Sequence, residues 1–295
     1  MNLNHPEHNE SSGFAQLFRL VIYTAISFVA CSIIVAAIYG LPALSALADA
    51  GPEHIGSMRI MLVISSVGLF LIPPLILALV EKRSINKFYN FERPKLAWIG
   101  MIIAIFVVSM PVLEWTAAIN QKMILPEGLK WLENWMRLKE EETEAVTLML
   151  LDMTSLLDFT VNILMIAIIP AVAEELMFRG AVQRSFGKIF SNPHVAIWLS
   201  AFIFSAIHIQ FFGFLPRLLL GAAFGYIYFW SGNLWYAIFG HFLNNAYAVS
   251  AAWYMKKNNI PLSESEGMHF AWYGYVISFI LSILAFLYFK KQTKK

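Results

Sequence analysis

Eight apolar runs dominate this chain, near residues 17–39, 58–80, 96–119, 158–173, 195–209, 215–230, 234–255 and 270–289. A helix needs about 20 apolar residues to cross a bilayer, and the runs cluster around that length. The expected fold is therefore all-α, a polytopic membrane helix bundle with about eight transmembrane helices. With 59% hydrophobic and 14% charged residues among 295, the chain is too apolar for one soluble domain of ordinary make-up. A formal net charge of +2 points to no nucleic acid, and the lipid bilayer is the first partner implied. The lone Cys31 excludes an intramolecular disulfide framework and a Cys-rich metal site, and reads as a small packed hydrophobe. Residues 1–13 lack Lys and Arg and the first apolar run exceeds a signal h-region, so no cleavable signal peptide is expected.

Four regions follow from this pattern: a polar N-terminal tail over 1–16, membrane helices with an interfacial helix over 17–157, a core over 158–255, and a last span with a basic tail over 256–295. Lys82, Arg83, Lys87, Arg93 and Lys95 follow the second run, and Lys290, Lys291, Lys294 and Lys295 follow the last. Basic short loops face the cytoplasm, which places both termini inside; the plasma membrane of a bacterium is the expected location. Arg184 and Lys188 agree; Lys256 and Lys257 run against the scheme. Pro73, Pro74, Pro111 and Pro170 lie inside runs and are expected to kink or locally unwind them. Between the third and fourth runs, Trp131, Trp135 and Leu138 recur at helical spacing beside Lys130, Glu133, Arg137 and Lys139, the pattern of an interfacial amphipathic helix. The acids Glu140, Glu141, Glu142 and Glu144 read as its solvated face. Gly221 and Gly225, four apart, suit close helix packing.

Against this apolar background, residues 171–179 read Ala-Val-Ala-Glu-Glu-Leu-Met-Phe-Arg. Charges at membrane depth are costly and are functional-site candidates by default. Residues four apart on a helix share a face, so Glu175 lies over Arg179 in the favourable acid-before-base order. Glu174 faces elsewhere, unpaired by anything local, as a carboxylate available for general-base work. Partners are offered by His208, four residues after Phe204, and by His241, four before Asn245. At about 1.5 Å of rise per residue from the inner turns, Glu174, His208, His241 and Asn245 lie roughly 18, 21, 12 and 18 Å in. Three helices thus offer polar side chains at similar depth. Peptide hydrolysis needs a base for water, a proton donor for the leaving amine, and donors for the oxyanion. Glu174 with His208 suits the first two tasks, and His241 with Asn245 the third. Two histidines and a carboxylate also make a conceivable open zinc site. Against zinc, the chain lacks His-Glu-x-x-His, and Asn is a poor zinc ligand. No cofactor is therefore expected.

Glu-Glu-x-x-x-Arg at 174–179, Phe-x-x-x-His at 204–208 and His-x-x-x-Asn at 241–245 together resemble the CAAX prenyl endopeptidase and bacteriocin-processing (CPBP, Abi) family. The resemblance covers about residues 158–255. It implies a glutamate-type intramembrane protease acting on a membrane-attached protein or peptide. In that family the first Glu and the middle His form the catalytic pair, and the last His and Asn form the oxyanion site. By resemblance these roles fall on Glu174, His208, His241 and Asn245, with Glu175, Arg179 and Phe204 supporting. The competing reading is a non-enzymatic immunity or peptide-binding protein on the same fold; intact motifs favour the enzyme. A transporter is weaker, since no inverted repeat is visible. His5, His8, His54, His194 and His269 join no constellation. Glu114 reads as an outer-interface or structural residue, Arg217 as a snorkelling one. The polar stretch Arg179, Gln183, Arg184 and Lys188 suggests a cavity open to the inner side.

Overall fold

The computed structural model describes residues 10–40, 55–262 and 270–293. The fold is all-helical, as the apolar runs predict. In chain order come α1 (Gly13–Tyr39), α2 (Ile55–Val80), α3 (Leu96–Gln121), α4 (Lys130–Leu151), α5 (Leu156–Ile189), α6 (Pro193–Ala206), α7 (Phe214–Ser231), α8 (Leu234–Lys257) and α9 (Trp272–Thr293). Among the described residues six segments are long and apolar enough to cross a membrane: α1, α2, α3, α5, Phe211–Ser231 containing α7, and α9. The other two expected spans differ for physical reasons. Helix α6 has 14 residues, about 21 Å of rise, and α8 interrupts its apolar sequence with His241, Asn244 and Asn245. His5, His8, His54 and His269 lie outside the described residues.

Helix α5 is the axis of the bundle, touching α1, α2, α6, α7 and α8. It starts at a reciprocal capping box between Ser155 and Asp158, which satisfies amide donors that a helix start leaves unpaired. Asp158 also pairs with Arg59 of α2 at 3.1 Å. Wide π turns occupy Ile163–Ile168 and Leu176–Gln183 within α5, and Val67–Leu71 within α2. The first lies just before Pro170 and the last just before Pro73 and Pro74. A proline has no N–H to return to the carbonyl four residues back, so the backbone there widens. The expected local unwinding is thus a change of turn type within continuous helices.

Helices α6 and α7 pack closely because Gly221 and Gly225 have no side chain to hold them apart. A Cβ on Gly221 would lie 3.2 Å from the Cβ of Ala201, and one on Gly225 2.9 Å from Cγ2 of Ile197. The bare backbone also receives two side chains from α5. Nη2 of Arg179 donates to the Gly221 carbonyl at 2.9 Å, and Nε2 of Gln183 to that of Gly225 at 3.2 Å. Cys31 packs against Gly68, where a Cβ would overlap its sulfur. On the outer surface α1 exposes Phe18, Val21, Ile26 and Val29, and α9 exposes Ile277, Ile280 and Leu284. Such faces suit hydrocarbon as solvent.

One end of the bundle carries the basic loops. Glu10 gathers Arg184 at 2.8 Å, Lys188 at 2.5 Å and Arg83 at 3.7 Å, and Glu81 pairs with Arg19 at 3.0 Å. Burial works against the ionised Glu10, but hydrogen bonds from Arg184 and Lys188 win and hold its carboxyl below the usual range. Lys290, near the end of α9, lies over the ring of Trp230 close to the end of α7. Both ends of the described chain therefore share this side. The polar stretch of α5 is tied up here: Arg179 and Gln183 by α7, Arg184 and Lys188 by Glu10.

Helix α4 covers the opposite end, over the turn joining α6 and α7. Trp135 meets Phe211 at 5.5 Å, Arg137 stacks on Phe212 at 4.4 Å, and the Phe212 amide donates to Glu140 at 3.3 Å. The amphipathic helix is present as expected, with Trp131 exposed and Glu133 buried. Glu133 accepts from the Leu125 amide at 3.0 Å, Arg137 at 2.9 Å and Lys130 at 3.2 Å. The Leu125 amide and then Arg137 dominate in pulling its carboxyl down to about 2.

Candidate active site

The α5 turn before the second π segment places Glu174 and Glu175 side by side, both buried. Oε1 of Glu175 accepts Nη1 of Arg179 at 2.6 Å, the ion pair expected from the four-residue spacing. The same oxygen lies 2.8 Å from Nδ1 of His241 on α8. A buried ion pair holds only with good geometry and further hydrogen bonds. Here the Gly221 carbonyl and two rings complete the guanidinium's shell: it lies 4.5 Å from the centre of Phe204 and 5.5 Å from that of Phe224. The Phe224 ring stacks on His241 at 5.4 Å and 14°, and Phe204 meets His241 edge-on at 6.0 Å.

Glu175, as a carboxylate, accepts and does not donate, so the Nδ1 of His241 carries a proton and Nε2 turns toward Glu174. Nε2 lies 3.9 Å from Oε2 of Glu174. That is beyond hydrogen-bond length and suits two groups acting on one shared oxygen. His208 follows the end of α6, where its Nδ1 lies 2.7 Å from the Phe204 carbonyl. A carbonyl only accepts, so this nitrogen is the donor and Nε2 of the neutral ring offers a lone pair. The next residue, Ile209, has φ 54°, a left-handed conformation that a β-branched side chain resists.

Asn245 makes two hydrogen bonds within the bundle. Its Nδ2 donates to the Ile166 carbonyl at 3.0 Å, and its Oδ1 accepts from Asn244 at 3.1 Å. Ile166 stands four residues before Pro170, so its carbonyl lacks the usual helical donor, and Asn245 provides one. Thus Glu174, Glu175, Arg179, Phe204 and His241 meet directly, His208 adjoins them through Phe204, and Asn245 reaches the π turn behind them. Among the described residues no three His, Cys, Asp or Glu side chains group as a metal ion requires.

Sequence reasoning missed two participants. Phe224 lies between the paired glycines, so a helical wheel shows only an aromatic in an apolar span. Gln210 lies two residues beyond the Phe-x-x-x-His motif and binds Arg217, with Nη2 at 2.5 Å from its Oε1 and Nη1 at 3.3 Å from its carbonyl. A second feature adjoins the site: an apolar cavity of about 430 Å³ between α3, α7 and α9, with Phe224 and Gly240 in its wall.

Residues 156–247 match the family model "Type II CAAX prenyl endopeptidase Rce1-like". The chain is 21% identical over 179 residues to uncharacterized protein YpbD of Bacillus subtilis (strain 168), covering 56% of this chain and 74% of that protein. No solved structure matches the chain. The matched segment holds all three motifs, from Glu174 to Asn245, so the resemblance read from them holds at the level of the family.

Proposed function

We propose that the protein is an intramembrane endopeptidase of the CAAX-protease type, cleaving a membrane-attached protein or peptide without a metal cofactor. The observation that carries this reading is the opposition of the Glu174 carboxylate to the Nε2 of His241, held by Glu175, inside a segment that resembles such enzymes. Glu174 takes a proton from water as the oxygen attacks the substrate carbonyl, and the Nε2 lone pair of His208 helps carry that proton. The C–N bond then breaks and the proton passes to the leaving amine, giving a carboxylic acid and an amine. A proton on Nε2 makes His241 a donor to the oxyanion, and the remaining N–H of the Asn245 amide is the second donor. The ion pair of Glu175 and Arg179 keeps His241 in register.

The apolar cavity beside Phe224 supports a substrate with a hydrocarbon attachment. Basic loops gathered with both described ends of the chain support cytoplasmic termini in a bacterial plasma membrane. Cysteines placed at Lys82 and Lys291 are then labelled by a thiol reagent only once it enters the cell. The deciding experiment incubates detergent-purified protein with a membrane-peptide library and compares products by mass spectrometry. Wild type should yield products that Glu174→Gln and His208→Ala do not, with both variants folded; full activity in either overturns the assignment. Activity lost to a chelator and restored by zinc, with one metal per chain, overturns the metal-free mechanism.

A further inference from the structure

The apolar cavity between α3, α7 and α9 differs sharply between its floor and its rim. Ile102, Ile105, Ala222, Phe224 and Ile227 form the floor, each 5% exposed or less. Phe279, Ile283 and Leu287 of α9 and Trp198 of α6 form the rim and are 42% to 55% exposed. Helix α9 is long and apolar enough to cross the membrane, so this rim faces hydrocarbon and the cavity opens sideways into the bilayer. Two serines in its wall, Ser109 and Ser282, bond each other at 3.1 Å. They leave water little to bind, and apolar cavities stay dry.

A cation stands at the basic end of the same cavity. Lys290 lies over the Trp230 ring at 5.6 Å, and Trp230, itself in the wall, meets Phe286 at 6.2 Å. Among the described residues this ammonium meets that ring and no carboxylate. A lysine at the end of a membrane-spanning helix reaches for the headgroup layer. From Phe279 to Lys290 α9 rises about 16 Å, so an apolar slot and a cation lie in line along one helix. We propose that the cavity holds one acyl chain of an anionic bilayer phospholipid whose phosphate is met by Lys290. A water-soluble anion would use the cation and leave the slot empty, while a zwitterionic lipid brings its own cation to the phosphate. The floor ring Phe224 is stacked on His241, so the chain reaches to within one ring of the candidate site. A substrate's own hydrocarbon attachment then enters by displacing this lipid.

The test uses the full-length protein in phosphatidylcholine nanodiscs, without any peptide. Phosphatidylglycerol or phosphatidylcholine with a diazirine near the end of one acyl chain is added in equal amount and photolysed, and adducts are mapped by peptide mass spectrometry. Adducts are expected at Phe224, Ile227 and their floor neighbours, about fivefold more from phosphatidylglycerol. Lys290→Gln should bring that ratio toward one while floor adducts persist. Ala223→Phe, which fills the cavity from its wall, should remove floor adducts from both lipids. Adducts confined to the outward faces of α1 and α9, equal labelling by the two lipids in the wild type, or a ratio unchanged by Lys290→Gln overturns the proposal. The Lys290 variant changes only the end of α9, so it decides the matter even if Ala223→Phe fails to fold. Because nothing is cleaved, failure here leaves the peptidase reading standing, and failure of the cleavage experiment leaves the lipid site standing.

Discussion

Nδ1 of His241 lies 2.8 Å from the Glu175 oxygen that also receives Arg179. One buried carboxylate therefore fixes both the ring that faces Glu174 and the cation beneath it. Removing its charge should be felt twice. Glu175→Gln leaves Arg179 without a counter-ion, and breaking a buried pair costs about 3–5 kcal/mol. Chemical denaturation in detergent should show that loss, and Arg179→Met in the same background should recover part of it. No loss of stability would mean that water reaches the pair.

Asn245 and Pro170 form a second testable couple. Asn245→Ala leaves the Ile166 carbonyl unsupported, at a cost of about 1–3 kcal/mol. Pro170→Ala restores an N–H four residues after Ile166 and should regain stability in the double variant. Peptidase activity should stay low in that variant, because the backbone donor replaces only the structural bond. Recovery of activity together with stability would remove Asn245 from the oxyanion site.

The contact between α5 and α7 depends on the absence of a methyl group. A Cβ at residue 225 would come 2.7 Å from Oε1 of Gln183 and 2.9 Å from Ile197. Gly225→Ala should destabilise by about 1–3 kcal/mol through overpacking. Shortening the neighbour with Gln183→Ala should relieve part of it, as read from thermal unfolding of the single and double variants.

Glu133 gives the covering helix an acid limit. Its folded value of about 2 lies below the ordinary 4.5, so its stabilising effect is complete above about 4.5 and lost as pH falls toward 2. Hydrogen exchange at the Leu125 amide, corrected for intrinsic rate, should lose protection across that window. Glu133→Gln should show weak protection at every pH. A wild-type profile flat from pH 5 to 2 would exclude this latch.

The pairing of Glu175 with Arg179 was readable because a four-residue spacing fixes neighbours within one helix. The helices themselves were readable from apolar run length. Contacts between helices were harder. Nothing in Phe-x-x-x-His says that Phe204 lies against Arg179, or that His241 takes Glu175 as its closest carboxylate. Asn245 matched its motif, yet its bond to Ile166 follows from a proline on another helix, and only packing brings the two together. The polar stretch 179–188 shows the same limit: which partner each side chain meets depends on residues distant in sequence, here Glu10 and Gly221.

The wide turns of α5 carry a consequence for how the chain tolerates change. A π turn behaves as an ordinary helix with one residue inserted, so the Leu176–Gln183 segment holds its two ends about 100° out of phase with regular winding. Deleting one residue there should let the helix relax to α-type hydrogen bonding without breaking it. Everything beyond the deletion would then keep its place around the axis, leaving Gln183 opposite Gly225 and Arg184 opposite Glu10. A shortened chain of this kind should remain helical and membrane-embedded with its grip on α7 intact, so this segment can lose one residue where a regular turn of α5 cannot.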